Sequence, residues 1–220
     1  MGARVAGLVL AAGRSARFGA DKLLAPLAGR PVVTWSIAAI GAATDHVLVV
    51  LPPGAAALAG ALHQDHGMSA GRSVRIVENP SRDLGMASSI AAGVASLDAG
   101  VGAVIIALGD QPLVSPDVVR RLVARWQLGG ALAVAPRYRD GQGHPVLFGR
   151  ACFAALCALE GDRGARSVLT ALGDDLAMVE VDEPTPLDVD SPDVLERLER
   201  LVERLTRERT ANPDSSRDGG

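Results

Sequence analysis

In LVLAAGRSARFGADKLL, residues 8 to 24, an apolar run gives way to a loop that gathers Arg14, Arg17 and Lys22 around Gly13 and Gly19. Glycine lets backbone N–H groups approach a ligand closely, and cations attract phosphate oxygens, so this segment is suited to hold an anion. A second chemical signal lies in GAVIIALGDQPLV, where Asp110 follows an apolar run directly. Gly109 permits a close turn there and Pro112 stiffens the exit. An acid so placed points into the crevice at the carboxyl edge of an open parallel sheet, where ligands of such folds sit. An ordinary helix-entry aspartate is the plainer alternative.

Three common loops do not fit. A Walker A motif has four residues between its glycines and then Lys-Ser/Thr, whereas five separate Gly13 from Gly19 and Leu23 follows Lys22. No GxGxxG is present. GRSAR is not a hydrolase elbow, because Arg17 takes the place of its last glycine.

The elements that must position these residues are short apolar runs bounded by turn residues: VAGLVL, HVLVVLP, SVRIVENP, GAVIIALGD, ALAVAP and LAMVEVD. Alanine-rich segments of helical length separate most of them, which predicts βαβ units on a mainly parallel sheet. Runs apolar at consecutive positions fit strands covered on both faces, so the expected class is α/β, a Rossmann-like three-layer α/β/α fold. With 220 residues and 48% apolar composition, the chain is expected to form one domain over 1–208, followed by a frayed polar tail over 209–220. Ser115-Pro116-Asp117 and Ser191-Pro192-Asp193 mark helix starts by N-cap hydroxyl, proline and acid, and Val114 and Val119 suit a hydrophobic staple. Val194, Leu195, Leu198, Leu201, Val202 and Leu205 form an apolar stripe whose partner is either the chain's own sheet or another subunit.

A net charge of -3 without a long basic tract argues against nucleic-acid binding. No apolar stretch approaches the roughly 18 residues of a membrane span, and no cleavable leader is evident, so a cytoplasmic protein without a membrane partner is expected. Cys152 and Cys157 match neither a metal pair nor CxxC and are expected to be buried structural thiols. His63 and His66 lack companions at metal spacing and read as surface residues.

LAAGRSARFGADKLL resembles the LAAGxSxRxG…K opening of the MobA-like nucleotidyltransferases, whose fold is that of the nucleotide-diphospho-sugar transferases. The resemblance implies that the loop wraps a nucleotide: backbone groups at Leu10, Ala11, Ala12 and Gly13 with Arg14 and Ser15 follow it, and Arg17 and Lys22 hold the triphosphate. GDQP resembles the family's acidic segment, implying Mg²⁺ on Asp110. LDVDSPDVL resembles a second acidic segment, implying a further metal contact from Asp190, which could instead simply precede the Ser191 cap. ENPSRDLGMASSIAAGV resembles N…GMxSSxxxG, placing Asn79, Gly85 and Ser88 on the sugar or base; capping by the serines is the plainer alternative. GQGHPVLFGR and GDRGAR are similar to segments of the branch that matures molybdenum cofactor and imply acceptor contacts from His144, Pro145 and Arg166.

Together these imply transfer of CMP from CTP to the terminal phosphate of a molybdopterin-type acceptor, with a molybdoenzyme or its chaperone as a further partner. Phe18, where the family often has Met, and Ala87, where it often has Ser, bear on base fit rather than on catalysis. The alternatives are GTP as donor, a nicotinamide-dependent reductase of the same superfamily, and a non-catalytic cofactor carrier.

Overall fold

The computed structural model describes residues 3–13, 18, 21–64, 74–162 and 164–211. Its strands are β1 (Arg4–Leu10), β2 (Pro26–Leu27), β3 (Arg30–Pro31), β4 (His46–Leu51), β5 (Val74–Glu78), β6 (Val101–Leu108), β7 (Ala133–Tyr138), β8 (Gly141–Gln142), β9 (Val146–Gly149) and β10 (Leu176–Glu180). Its helices are α1 (Val32–Gly41), α2 (Ala56–Gln64), α3 (Met86–Ala95), α4 (Pro116–Gln127), α5 (Phe153–Cys157), α6 (Arg166–Leu172) and α7 (Pro192–Ala211). The main sheet runs β10-β7-β9-β6-β1-β4-β5, with β8 added to β7, and β2 pairs β3 in a separate hairpin. Every pairing along the main path is parallel except the two made by β9.

Consecutive apolar residues serve both faces of this sheet. In β1, Val5 and Val9 turn toward α1, α2 and α4, while Ala6 and Leu8 turn toward α3, α5 and α6. In β6, Ile105 and Ile106 divide in the same way. Two cores on one sheet give the expected three-layer α/β architecture. Helix α3 lies so close to β1 that a Cβ at Gly93 would stand 2.3 Å from Leu8 Cδ1, so a larger residue would force the buried Leu8 side chain or the helix to shift.

The six expected strands are present; β9, a run of only four residues entering against its neighbours, was not foreseen. Further expectations need correction. The α7 stripe does not cover the sheet: Leu198 and Val202 are buried against Leu27, Val32 and Val189, so the helix packs on the β2–β3 hairpin and the start of α1. Leu205, 45% exposed, extends beyond that contact. Helix α7 runs to Ala211, Thr210 Oγ1 donating to Thr206 O at 2.9 Å. Ser115 makes no side-chain cap; Val114 and Val119, both buried in one core, anchor that helix start instead. Ser191 does cap, accepting from Val194 N at 3.4 Å. Cys152 is buried but Cys157 is exposed at the end of α5, contrary to the expected pair of buried thiols. His63 is exposed as expected, and His66 lies outside the described residues. No described helix is long and apolar enough to cross a membrane.

Candidate active site

Lys22 and Asp110 meet at the carboxyl edge of β1 and β6. Lys22 Nζ donates to Asp110 Oδ2 at 2.6 Å and to Asp190 Oδ1 at 2.9 Å, so one ammonium joins two carboxylates from distant parts of the chain. Carboxylates this close repel one another by between about 1 and 4 kcal/mol, from bulk-water screening to a half-buried setting, and the shared cation offsets that repulsion. The Lys22 side chain is only 12% exposed. Burial alone would lower its pKa, but hydrogen bonds to Asp110 and Asp190, with their charges, outweigh that and raise it above the usual lysine value. Lys22 is therefore a fixed positive charge.

The backbone holds Asp110 on three sides. Gly109 N donates to Leu10 O at 2.9 Å, tying the acid-bearing turn to the end of β1. Val189 N donates to Asp110 O at 2.9 Å, which brings Asp190 alongside. Ser36, fully buried in α1, donates to Gly109 O and Gln111 O at 3.2 and 3.0 Å. On the lysine side, Leu23 N donates to Asp21 Oδ1 at 3.1 Å and Val33 N to Leu23 O at 3.2 Å, fixing the backbone from which Lys22 reaches.

Beside this cluster opens a cavity of about 420 Å³, with Leu10, Ala12, Gly13, Gly85 and Asp110 on its walls. These are five of the residues singled out from sequence. Ala11 is buried, its N–H given to Val50 O at 2.9 Å. Arg14, Ser15 and Arg17 lie outside the described residues.

Asn79 departs from expectation. It is 1% exposed, and its amide nitrogen donates to Ser88 Oγ and Ser89 Oγ at 2.9 and 3.0 Å while its Oδ1 accepts from Ser81 N. These bonds shape the entry to α3, and Asn79 does not line the cavity. Ser88 donates to Gly85 O at 2.8 Å and no side chain caps α3, so the capping alternative is not realised either, and it is Ser89 that borders the cavity. Gly85 has φ +98, and a Cβ there would stand 2.3 Å from Asp162 Oδ1 and 2.6 Å from Gly161 O. Only glycine tolerates both the angle and the approach.

A second cavity, of about 320 Å³, adjoins the first and shares Met86 and Asp162 with it. His144 and Arg166 line it together with Val146 and Phe148. Pro145 is buried behind them, joined to His144 by a cis peptide. Burial lowers the His144 pKa against the opposing pull of the Asp110 charge, which favours a neutral imidazole. Tyr138 fixes the segment by donating from its hydroxyl to His144 O at 2.8 Å, and burial, then the charges of Glu183 and Asp140, keeps that phenol protonated.

Two aspartates of this region were not singled out from sequence. Asp188 faces the cluster; burial raises its pKa first and the Asp110 charge second, against a hydrogen bond from Gln111. Asp162 accepts from Met86 N at 3.3 Å and stands where the two cavities meet. Asp188 could have been read from the paired acids of LDVD and Asp162 from GDRGAR, but both gain meaning only from distant segments.

Asp110 and Asp190 converge on a single cation position, taken here by an ammonium. Among the described residues, no three His, Cys, Asp or Glu side chains form a metal cage. That donor set suits Mg²⁺, which is typically bound by one or two carboxylates with substrate phosphates completing its shell.

The model of the MobA-like NTP transferase domain matches residues 7–176. The chain belongs to that family. This MobA-like protein is a nucleotidyltransferase. It is 30% identical over 202 residues to the purine catabolism protein PucB of Bacillus subtilis (strain 168), covering 89% of this chain and 96% of that one. It is 36% identical over 139 residues to 2-C-methyl-D-erythritol 4-phosphate cytidylyltransferase of Cereibacter sphaeroides, covering 61% and 59%. Among solved structures it resembles Rv0371C of Mycobacterium tuberculosis H37Rv in complex with manganese, with TM-score 0.73 and 30% identity over 91% of this chain and 100% of that one. A divalent metal is thus consistent with the family's structures.

Proposed function

We propose that this MobA-like transferase moves CMP from CTP to the terminal phosphate of a molybdopterin-type acceptor in the presence of Mg²⁺, releasing pyrophosphate. The observation that carries the reading is the Lys22–Asp110–Asp190 cluster beside a cavity that shares Met86 and Asp162 with a second one lined by His144 and Arg166. One compartment suits the nucleotide, the other an acceptor with its own phosphate.

In this reading the nucleotide lies against Leu10, Ala12 and Gly13, with Ala11 buried behind them, Arg14 and Ser15 completing the loop, and the Gly85 backbone and Ser89 on the far side. Lys22 and Arg17 grip the triphosphate. Asp110 and Asp190 would hold the metal, which when bound would lessen the repulsion between the two substrates' phosphates and polarise the α-phosphate. Arg166 grips the acceptor phosphate bidentately, and His144 with Pro145 shapes the pocket around it. An acceptor phosphate oxygen bonds to the α-phosphorus as the bond from that phosphorus to the β-bridging oxygen breaks. Lys22 stabilises the charge gathering on the departing pyrophosphate. No covalent protein intermediate is needed; alignment and charge supply the rate.

The choice of CTP is supported by LAAG in the first loop and by the likeness to 2-C-methyl-D-erythritol 4-phosphate cytidylyltransferase, whose name specifies a phosphorylated acceptor. The test is pyrophosphate release from protein, Mg²⁺ and molybdopterin with CTP or GTP supplied separately. Release with CTP is expected; release with GTP alone would replace the donor, and release with neither would remove the acceptor assignment.

A further inference from the structure

We propose that Lys22 is the resident counter-ion of the metal site: its ammonium keeps Asp110 and Asp190 together before metal arrives and yields to it readily only when a triphosphate offers new oxygens, so nucleotide and metal enter cooperatively. This rests on the reading of Asp110 and Asp190 as the metal carboxylates. The two carboxylates a divalent ion would use are the two that Lys22 Nζ engages, at 2.6 and 2.9 Å. A cation held at the roughly 2.0–2.1 Å that Mg²⁺ demands leaves no room for an ammonium between the same carboxylates.

Lys22 has nowhere indifferent to go. Its side chain is largely buried, its backbone is fixed by the Asp21 turn and by Val33, and only its four-carbon stem can swing. An ammonium pushed off both carboxylates by metal alone would face a divalent ion without acceptors of its own, which is costly in a half-buried setting. Phosphate oxygens on the cavity side supply those acceptors. The coupling is reciprocal by linkage: whatever nucleotide adds to metal affinity, metal adds to nucleotide affinity.

Manganese is the probe, followed by the electron paramagnetic resonance of unbound Mn²⁺. In the nucleotide-free protein, Lys22→Met is expected to bind Mn²⁺ about tenfold or more tightly than the unsubstituted protein, within the usual range of such couplings. The unsubstituted protein, saturated with CTP and corrected for Mn²⁺ held by CTP in solution, is expected to gain at least as much. Equal Mn²⁺ affinity with and without nucleotide would overturn the proposal with no variant involved. Asp110→Asn in the Lys22→Met background separates the two ideas. If it weakens Mn²⁺ binding while Lys22→Met gave no tightening, the counter-ion role falls and the carboxylate site stands. If it leaves Mn²⁺ binding unchanged, the carboxylate site falls and the counter-ion role with it. Coupling seen with GTP but not CTP would support the counter-ion role while correcting the donor.

Discussion

Around Lys22 the walls are charged and hold one another: an ammonium spans two carboxylates, and the turn carrying Asp110 is tied to β1, α1 and the segment before α7. Around His144 the walls are mostly apolar, Val146 and Phe148 belong to the core, and the polar groups sit where burial has placed them. The first compartment draws its geometry from paired charge, the second from packing. Substitutions that alter charge at constant shape should therefore strike the first in function, whereas substitutions that alter shape at constant charge should strike the second in stability.

The sharpest contrast comes from Asp110→Asn. The amide keeps the shape, and Lys22 retains Asp190, so unfolding free energy should change by no more than about 1 kcal/mol. Turnover should fall by about 10³-fold or more, with a smaller change in nucleotide KM, because the lost charge acts on the reacting phosphates. Steady-state kinetics beside urea unfolding decide the matter. A stability loss as large as the loss of activity would mean that the cluster is structural.

Gly85→Ala, on the wall of the first cavity but packed against Gly161 and Asp162 where the second begins, should show the reverse. A methyl there meets the Gly161 carbonyl and the Asp162 carboxylate at a φ that disfavours side chains, and the backbone strain alone costs about 1–3 kcal/mol. The urea midpoint should drop without a change in slope. Residual turnover at saturating substrates should survive better than in Asp110→Asn. An unchanged midpoint would show that the 161–162 segment gives way easily, and the boundary between the compartments would then be soft.

How much of this was legible beforehand follows the same division. Charged groups on strand-end loops announce themselves: Lys22 and Asp110 were readable because an open parallel sheet sends both β1 and β6 toward one edge. The strands were readable because two-sided burial demands consecutive apolar residues, as in VIIAL. Packing is less legible. Strand β9 is four residues long and carries no period that separates it from a loop. Asn79 looked like a ligand contact because its amide is chemically able to be one, and nothing local says that Ser88 and Ser89 consume it. The partner of the α7 stripe depends on a two-residue hairpin, β2–β3, that no composition rule marks.

The smallest effect expected is on pH dependence, and it tests whether packing governs the second compartment. Burial holds the His144 pKa below its ordinary 6.5, so the folded protein prefers the neutral ring while the unfolded chain takes up a proton normally. The unfolded state then binds more protons, and stability rises with pH across that window. The contribution is fully present above about pH 6.5 and is lost as pH falls from there toward the lower folded-state pKa. Asp110, whose charge pulls the other way, softens the effect, and Arg166 and Asp162 border the same cavity. In His144→Gln the acid-side decline attributable to this ring should disappear while its alkaline plateau stays flat, as read from urea unfolding at stepped pH. Parallel curves for the two proteins would mean that water reaches the imidazole freely, and the second compartment would then owe its shape to something other than burial.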